Sequence, residues 1–377
     1  DRIQETANSL YSAGDRAMLH RRIGNLLLQM TRGSDHDRTI FEIADHFNEA
    51  VSLISSDEEA QRVIDLNRSA GNMARSSAAF DAAVKYFSNA ISVLENFPGL
   101  KERSLLYELY TGHAWCLYLS GIFDHAETEI HEAMKYALTP LEKTELLNIL
   151  IIMKTMEKKF DEAIDLGIKA LKILGIDFSS DPEERMRQIN EEKIKTDHYL
   201  ENASVDTIIN LPECNNDEII QVNNILRSIG SPGYISADKL IIMFTSLKIS
   251  SLSFEYGITP HSTCGFVSYG VISTTWKEYK ISSILGEASV IISRRMNNLS
   301  QLCETMLKHG AFIRYWSGHL KHSIEYLHMA LDAGIKSADY VWAGYAADHM
   351  VLNSFAIGEN IHKCIEHIDS RINFFIK

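Results

Sequence analysis

With 377 residues and a mass of 42.6 kDa, the chain is long enough for two or three ordinary domains or for one array of stacked repeats. A hydrophobic fraction of 45%, a charged fraction of 23%, six Pro and twenty Gly exclude wholesale disorder and a fibrous protein. The net charge of −13, with both signs scattered and no basic stripe, argues against unspecific nucleic-acid binding.

The longest unbroken apolar runs, such as Ala114–Leu119 and Ile149–Met153, fall far short of the roughly 18–20 residues that cross a bilayer, so no membrane insertion is expected. The opening Asp1-Arg2-Ile3-Gln4 has neither an initiator Met nor a secretory leader and reads as the start of an excised or processed piece. Cys116, Cys214, Cys264, Cys303 and Cys364 are odd in number, far apart and never in Cys-x-x-Cys spacing. That usage suits reduced core thiols of a cytoplasmic protein better than disulfides or a zinc site.

In chain order, residues 1–55 read as N-terminal helices. A first run of helical repeats is expected over 56–200. Its copies are Phe80-Asp81-Ala82-Ala83, Phe123-Asp124-His125-Ala126 and Phe160-Asp161-Glu162-Ala163, with anchor alanines 43 and 37 residues apart. In each, an aromatic-Asp pair begins three residues before an Ala that lets helices approach closely, and core positions follow four and seven residues on. Capping boxes at Ser56-Asp57-Glu58-Glu59 and Thr139-Pro140-Leu141-Glu142, and the cap, Pro and acids of Asp181-Pro182-Glu183-Glu184, predict helix starts. Over 201–262 the pattern fades into an irregular helical segment or hinge, marked by the loop at Leu211-Pro212-Glu213-Cys214 and a Ser231-Pro232-Gly233 break. A second run is expected over 263–377, with anchors Ser282, Ser323 and Cys364 spaced 41 and 41. No stretch alternates apolar and polar residues between tight-turn dipeptides, so the fold should be all-α. A single helix pair cannot bury its own faces, so pairs must stack.

A search for chemistry finds no phosphate loop, no Gly-x-Gly-x-x-Gly, no nucleophile elbow and no His-Glu-x-x-His. An enzyme is not expected, and no cofactor is implied. His319, His322, His328, His349, His362 and His367 could be imagined as a metal site, but rim or hydrogen-bonded histidines on helices are the plainer reading. The pairs Glu58-Glu59, Glu183-Glu184 and Glu191-Glu192 read as solvated faces, because adjacent helical residues point about 100° apart.

The repeating block resembles the tetratricopeptide repeat, with Gly71, Ala83, Phe87 and Ala90 in its signature places. The spacings of 37 to 43 exceed the family's ~34, and Ile130 and Gly167 replace its large aromatic. The resemblance implies helix hairpins stacked into a right-handed superhelical solenoid. A wider resemblance rests on Asp1-Arg2-Ile3-Gln4-Glu5-Thr6-Ala7, Leu19-His20-Arg21-Arg22-Ile23-Gly24, Ile40-Phe41-Glu42-Ile43-Ala44, Tyr256-Gly257-Ile258-Thr259-Pro260 and Ala343-Gly344-Tyr345-Ala346. These strings are similar to the helical-repeat region of large multidomain signalling ATPases and sensor histidine kinases. They imply an upstream ATPase domain adjoining residues 1–55, and downstream sensor and two-component kinase modules.

By the tetratricopeptide resemblance, the fifth, ninth and twelfth places of each first helix face the concave side. They are Arg68, Asn72 and Arg75, then Thr111, Trp115 and Tyr118, then Lys308, Phe312 and Tyr315 with Trp316 adjacent. The expected partner-binding groove is Arg68, Asn72, Arg75, Trp115, Tyr118, Phe312, Tyr315 and Trp316, since Trp, Tyr and Arg supply most interface energy. The competing account buries these aromatics under the next coil. Arg68 and Asn72 resemble half of a carboxylate clamp, with Gly112 where an Asn would complete it. The expected function is a non-catalytic interaction and signal-relay module. Its partner is another protein or an intramolecular domain, and a homodimer is compatible with it. The alternative is a small-molecule sensory domain, with Tyr256, His261 and Cys264 shaping a pocket.

Overall fold

The computed structural model describes residues 11–30 and 36–375. The Asp1–Ala7 string therefore lies outside the described residues. Among those residues there is no strand, only helices and an isolated bridge between Glu213 and Ile258. The all-α, helix-hairpin fold expected from the sequence holds. The chain divides into two compact units, Asp1–Met153 and Lys154–Lys377.

The first unit contains α1 (Ala13–Met30), α2 (His36–Asn48), α3 (Asp57–Ser76), α4 (Phe80–Asn96), α5 (Arg103–Leu119), α6 (Phe123–Met134) and most of α7 (Pro140–Met156). Helices α1/α2, α3/α4 and α5/α6 form hairpins, and α2 packs on α3 and α4 on α5. The capping expectations hold: Ser56 Oγ accepts from Glu59 N at 3.3 Å, and Thr139 and Glu142 cap each other reciprocally at 3.1 and 3.0 Å. Ala83, Phe87 and Ala90 are fully buried. Phe87 is clasped between two first helices: a Cβ on Gly71 would lie 3.0 Å from its ring, and one on Gly112 2.8 Å from it. Only a missing side chain lets α3 and α5 close on that ring.

The second unit begins within α7 and continues with α8 (Phe160–Ile173), α9 (Pro182–Leu200), α10 (Val205–Ile209), α11 (Asp217–Ile235), α12 (Lys239–Tyr256), α13 (Ser262–Thr275) and α14 (Tyr279–Arg295). It closes with α15 (Leu299–Lys308), α16 (Lys321–Lys336), α17 (Tyr340–Ala356) and α18 (Ile361–Phe375). A π turn at His309–Ile313 and a 3-10 turn at Arg314–Trp316 extend α15. The anchors Ser282, Ser323 and Cys364 are buried on the second helices α14, α16 and α18.

The faded stretch has a physical cause. Helix α8 packs directly on α11, so the stack skips over α9 and α10, which lie instead against α12 and α14. Helix α9 docks chiefly through charge. Arg185 pairs with Asp238 at 3.4 Å, Lys193 with Glu278 at 2.9 Å and Lys248 with Glu192 at 2.9 Å, Lys195 pairs with Glu255, and the Tyr269 hydroxyl donates to Asp197. Glu192, expected as a solvated charge, is thus a buried anchor, whereas Glu191 is exposed beside Arg187. Ser231-Pro232-Gly233 does not break the chain either; it lies inside α11. Pro232 sits in the final turn, so little helix remains beyond it to be broken, and Gly233 lets α12 approach: a Cβ there would lie 2.6 Å from Ile241 Cγ2.

Several turns between consecutive helices share one device. Ala78, Gly121, Ala237, Lys277 and Ala338 have positive φ, and the next residue's amide donates to a carbonyl five residues back, as in Ala79 to Ala74 and Asp339 to Gly334 at 2.9 Å each. The aromatics Phe80, Phe123 and Tyr279 then stand as the first residues of the second helices α4, α6 and α14, and Tyr340 opens α17 in the same way.

Candidate functional site

In the first unit, Arg68, Asn72 and Arg75 lie on α3 and Trp115 and Tyr118 on α5, all half-buried. Thr111 is buried instead. Glu108 of α5 reaches across to α3: Arg68 Nη1 stands 3.4 Å from one of its oxygens, and Asn72 Nδ2 donates to the other at 3.4 Å. Asp65 also holds Arg68, at 3.3 Å. The half-clamp is therefore engaged by a carboxylate of the chain itself. Arg75 acts on the neighbouring Cys116, where burial pushes the thiol up to about 11 against the pull of the guanidinium. The Trp115 and Tyr118 rings lie 5.4 Å apart, and Tyr118 leans on Phe123 at 6.0 Å. Neither aromatic is buried by its neighbours, so both retain a contact surface.

Toward the N-terminal part of α3 is a cleft of about 580 Å³, reaching from Leu28 and Ile40 over the Asp57–Ser69 face to Leu100 and lined by none of Arg68, Asn72, Arg75, Trp115 and Tyr118. A second cleft of about 200 Å³ shares Gln61 with it and includes Arg68, Glu102 and Glu108. Salt bridges of the α3 rim, such as Glu58 to Arg62 at 3.5 Å, are solvent-exposed and contribute little to stability.

In the second unit the expected groove residues separate. Trp316 stacks on Tyr279 with centroids 4.8 Å apart and is 46% exposed. Tyr315 leans on Trp316 at 5.2 Å, and Phe312 meets His349 edge-on at 5.0 Å. The π turn inserts an extra residue per turn between Lys308 and Arg314, which displaces the face that regular helical spacing would have shared.

Lys308 belongs to a different constellation, absent from the sequence expectation as a unit. Glu304, 5% exposed on α15, lies 2.6 Å from Lys308 and 3.4 Å from Arg227 of α11, and accepts from the Cys264 thiol of α13 at 3.2 Å. Lys308 also donates to Ser268 at 2.9 Å and stands 5.3 Å over the Trp342 ring. Burial alone would raise the Glu304 carboxyl; Lys308 and Arg227 outweigh it and hold the group down at about 2. Burial, then Glu304, push the Cys264 thiol up to about 11, and burial with Arg227 lowers His261 to about 4. At neutral pH the cluster is thus an ionised carboxylate between two cations, with a protonated thiol and a neutral imidazole. Such groups lock three first helices together and offer no acid or base poised near neutrality. The Glu304/Lys308 pair at i, i+4 was a readable signal for it; Arg227 and Cys264, each on another helix, were not.

Tyr256, grouped with His261 and Cys264 in the sequence expectation, lies apart from them, 43% exposed and hydrogen-bonded to Glu255. Of the late histidines, His319 accepts from Lys321 N at 3.1 Å, His349 packs on Phe312, and His322, His328 and His362 are exposed. The His367 side chain lies outside the described residues. Among the described residues no three His, Cys, Asp or Glu converge as a metal site, and no helix is long and apolar enough to cross a membrane.

No family model matches the chain. Among solved structures, it is similar to a signal transduction ATPase with numerous domains and a tetratricopeptide repeat sensor from Pyrococcus horikoshii, with 13% identity and a TM-score of 0.35, covering 89% of this chain and 53% of that one. Over 402 aligned residues it is 22% identical to the hybrid signal transduction histidine kinase G of Dictyostelium discoideum, covering 95% of this chain but only 12% of that protein. The helical chain is thus similar, along nearly its whole length, to a small part of a signalling kinase.

Proposed function

We propose that the chain is a non-catalytic protein-interaction and signal-relay module of a multidomain, cytoplasmic sensor kinase. It presents the α3/α5 surface of its first unit to a partner protein or a neighbouring domain. The observation that carries this reading is the half-buried Trp115/Tyr118 pair on α5, because amphipathic aromatics that keep an accessible face are the usual anchors of protein contacts. The similarity to a short stretch of a histidine kinase supports the signalling context.

Site-specific photo-crosslinking tests the reading. Benzoylphenylalanine in place of Trp115 in the full-length protein should join one defined protein or domain, whereas the same group in place of Ser92, exposed on α4, should not. Equal yields from the two positions would refute it.

A further inference from the structure

We infer that the α3 cleft of the first unit takes a basic segment of a protein partner that carries an apolar anchor. This rests on the partner-surface reading above and names the chemistry of its ligand. The floor of the cleft is apolar, with half-buried Leu28 and Leu100 beside the buried Ile40 and Leu66. Its volume of about 580 Å³ falls within the range of roughly 300–1,000 Å³ that accommodates compact ligands or a few anchor side chains.

Charge then selects the occupant. Among the described residues lining this cleft and its neighbour, the carboxylates Asp57, Glu58, Asp65, Glu102 and Glu108 face the cations Arg62 and Arg68. Both cations are already engaged, Arg62 by Glu58 and Arg68 by Asp65 and Glu108. The helix start explains Asp57 and Glu58 as complements to the α3 dipole. It does not explain Asp65, two turns further in, or the apolar floor left open between the carboxylates. An acidic segment would meet like charge, and an uncharged apolar one would leave the carboxylate excess without counter-charge. A segment with Lys or Arg flanking a Leu-sized side chain fits both features.

A fluorescein-labelled heptapeptide alternating lysine with leucine, and its counterpart with glutamate for lysine, test this by polarisation on the full chain. The lysine peptide should bind and the glutamate peptide should not. The double variant Glu58→Gln/Asp65→Asn should weaken the lysine peptide about five- to tenfold, whereas Glu183→Gln/Glu191→Gln on α9, which removes equal charge elsewhere, should leave it unchanged. Equal losses in both double variants would reduce the effect to general attraction by a chain of net charge −13 and overturn the inference. Equal binding of the two peptides would also overturn it. A specific Trp115 crosslink alongside either result leaves the partner surface standing and removes only the basic-segment assignment.

Discussion

Replacing Glu304 by Gln should destabilise the second unit by roughly 3 kcal/mol at neutral pH. The carboxyl is held at about 2 against an ordinary 4.5, and at about 1.4 kcal/mol for each tenfold step in proton affinity this amounts to ~3 kcal/mol. Truncating one member of a buried ion pair independently costs about 3–5 kcal/mol, and the partial exposure of Arg227, 33% by side chain, favours the lower end. The sign follows from the depressed value: the contribution is complete above the unfolded carboxyl's range and disappears as pH falls toward 2. Trp276, Trp316 and Trp342 all belong to the second unit, so a Trp115→Phe background makes fluorescence report that unit alone. In urea at pH 7 the E304Q midpoint should fall by about 1 M or more, taking a slope of ~1–3 kcal/mol per M. The gap between the two proteins should narrow steadily from about pH 4.5 downward. A loss under 1 kcal/mol at pH 7, or one that does not change with pH, would show that the cluster does not hold these helices.

Two glycines inside helices should respond with opposite signs. Gly112→Ala drives a Cβ to 2.8 Å from the Phe87 ring and should destabilise by about 1–3 kcal/mol, whereas Gly344→Ala, with nothing within 4 Å, should stabilise by up to ~1 kcal/mol. Thermal melts showing the same sign for both would refute the packing account. Buried His309, whose imidazole burial lowers to about 4, resists protonation in the folded state, so stability should fall by up to ~3 kcal/mol as pH drops from 6.5 to 4. Urea midpoints across that range should depend less steeply on pH in His309→Leu; an unchanged slope would remove the assignment.

The repeat signature was legible because small anchors and aromatics report close helix packing directly. Ala83, Ala126 and Ala163, picked out by spacing, are fully buried, and the second helices begin at Phe80, Phe123 and Phe160. Helix starts at Ser56, Thr139 and Asp181 were legible because capping needs particular side chains at fixed offsets. What escaped was decided by partners distant in sequence. The docking face of α9 is made of Glu192, Lys193, Lys195 and Asp197, which look like solvent-facing charge until Lys248, Glu255, Tyr269 and Glu278 come into place. The left-handed turn positions were hidden because Ala78, Lys158, Ala237, Lys277 and Ala338 occupy them where Gly would have announced a turn. Regular helical spacing put Lys308 and Phe312 on one face, and the π turn that displaces them carries no composition signal.

In a plain pile of hairpins each pair senses only the pairs on either side, so fraying can spread one step at a time. Helix α9 cuts across that scheme, because a single rod is fastened to the α11–α12 corner at Asp238, to α12 at Lys248, to α13 at Tyr269 and to the start of α14 at Glu278. Loosening any one of them strands charges on the same rod and taxes the others. The middle of the second unit is therefore tied together like slats pinned by a crossbar, so that it should open as a group and not hairpin by hairpin.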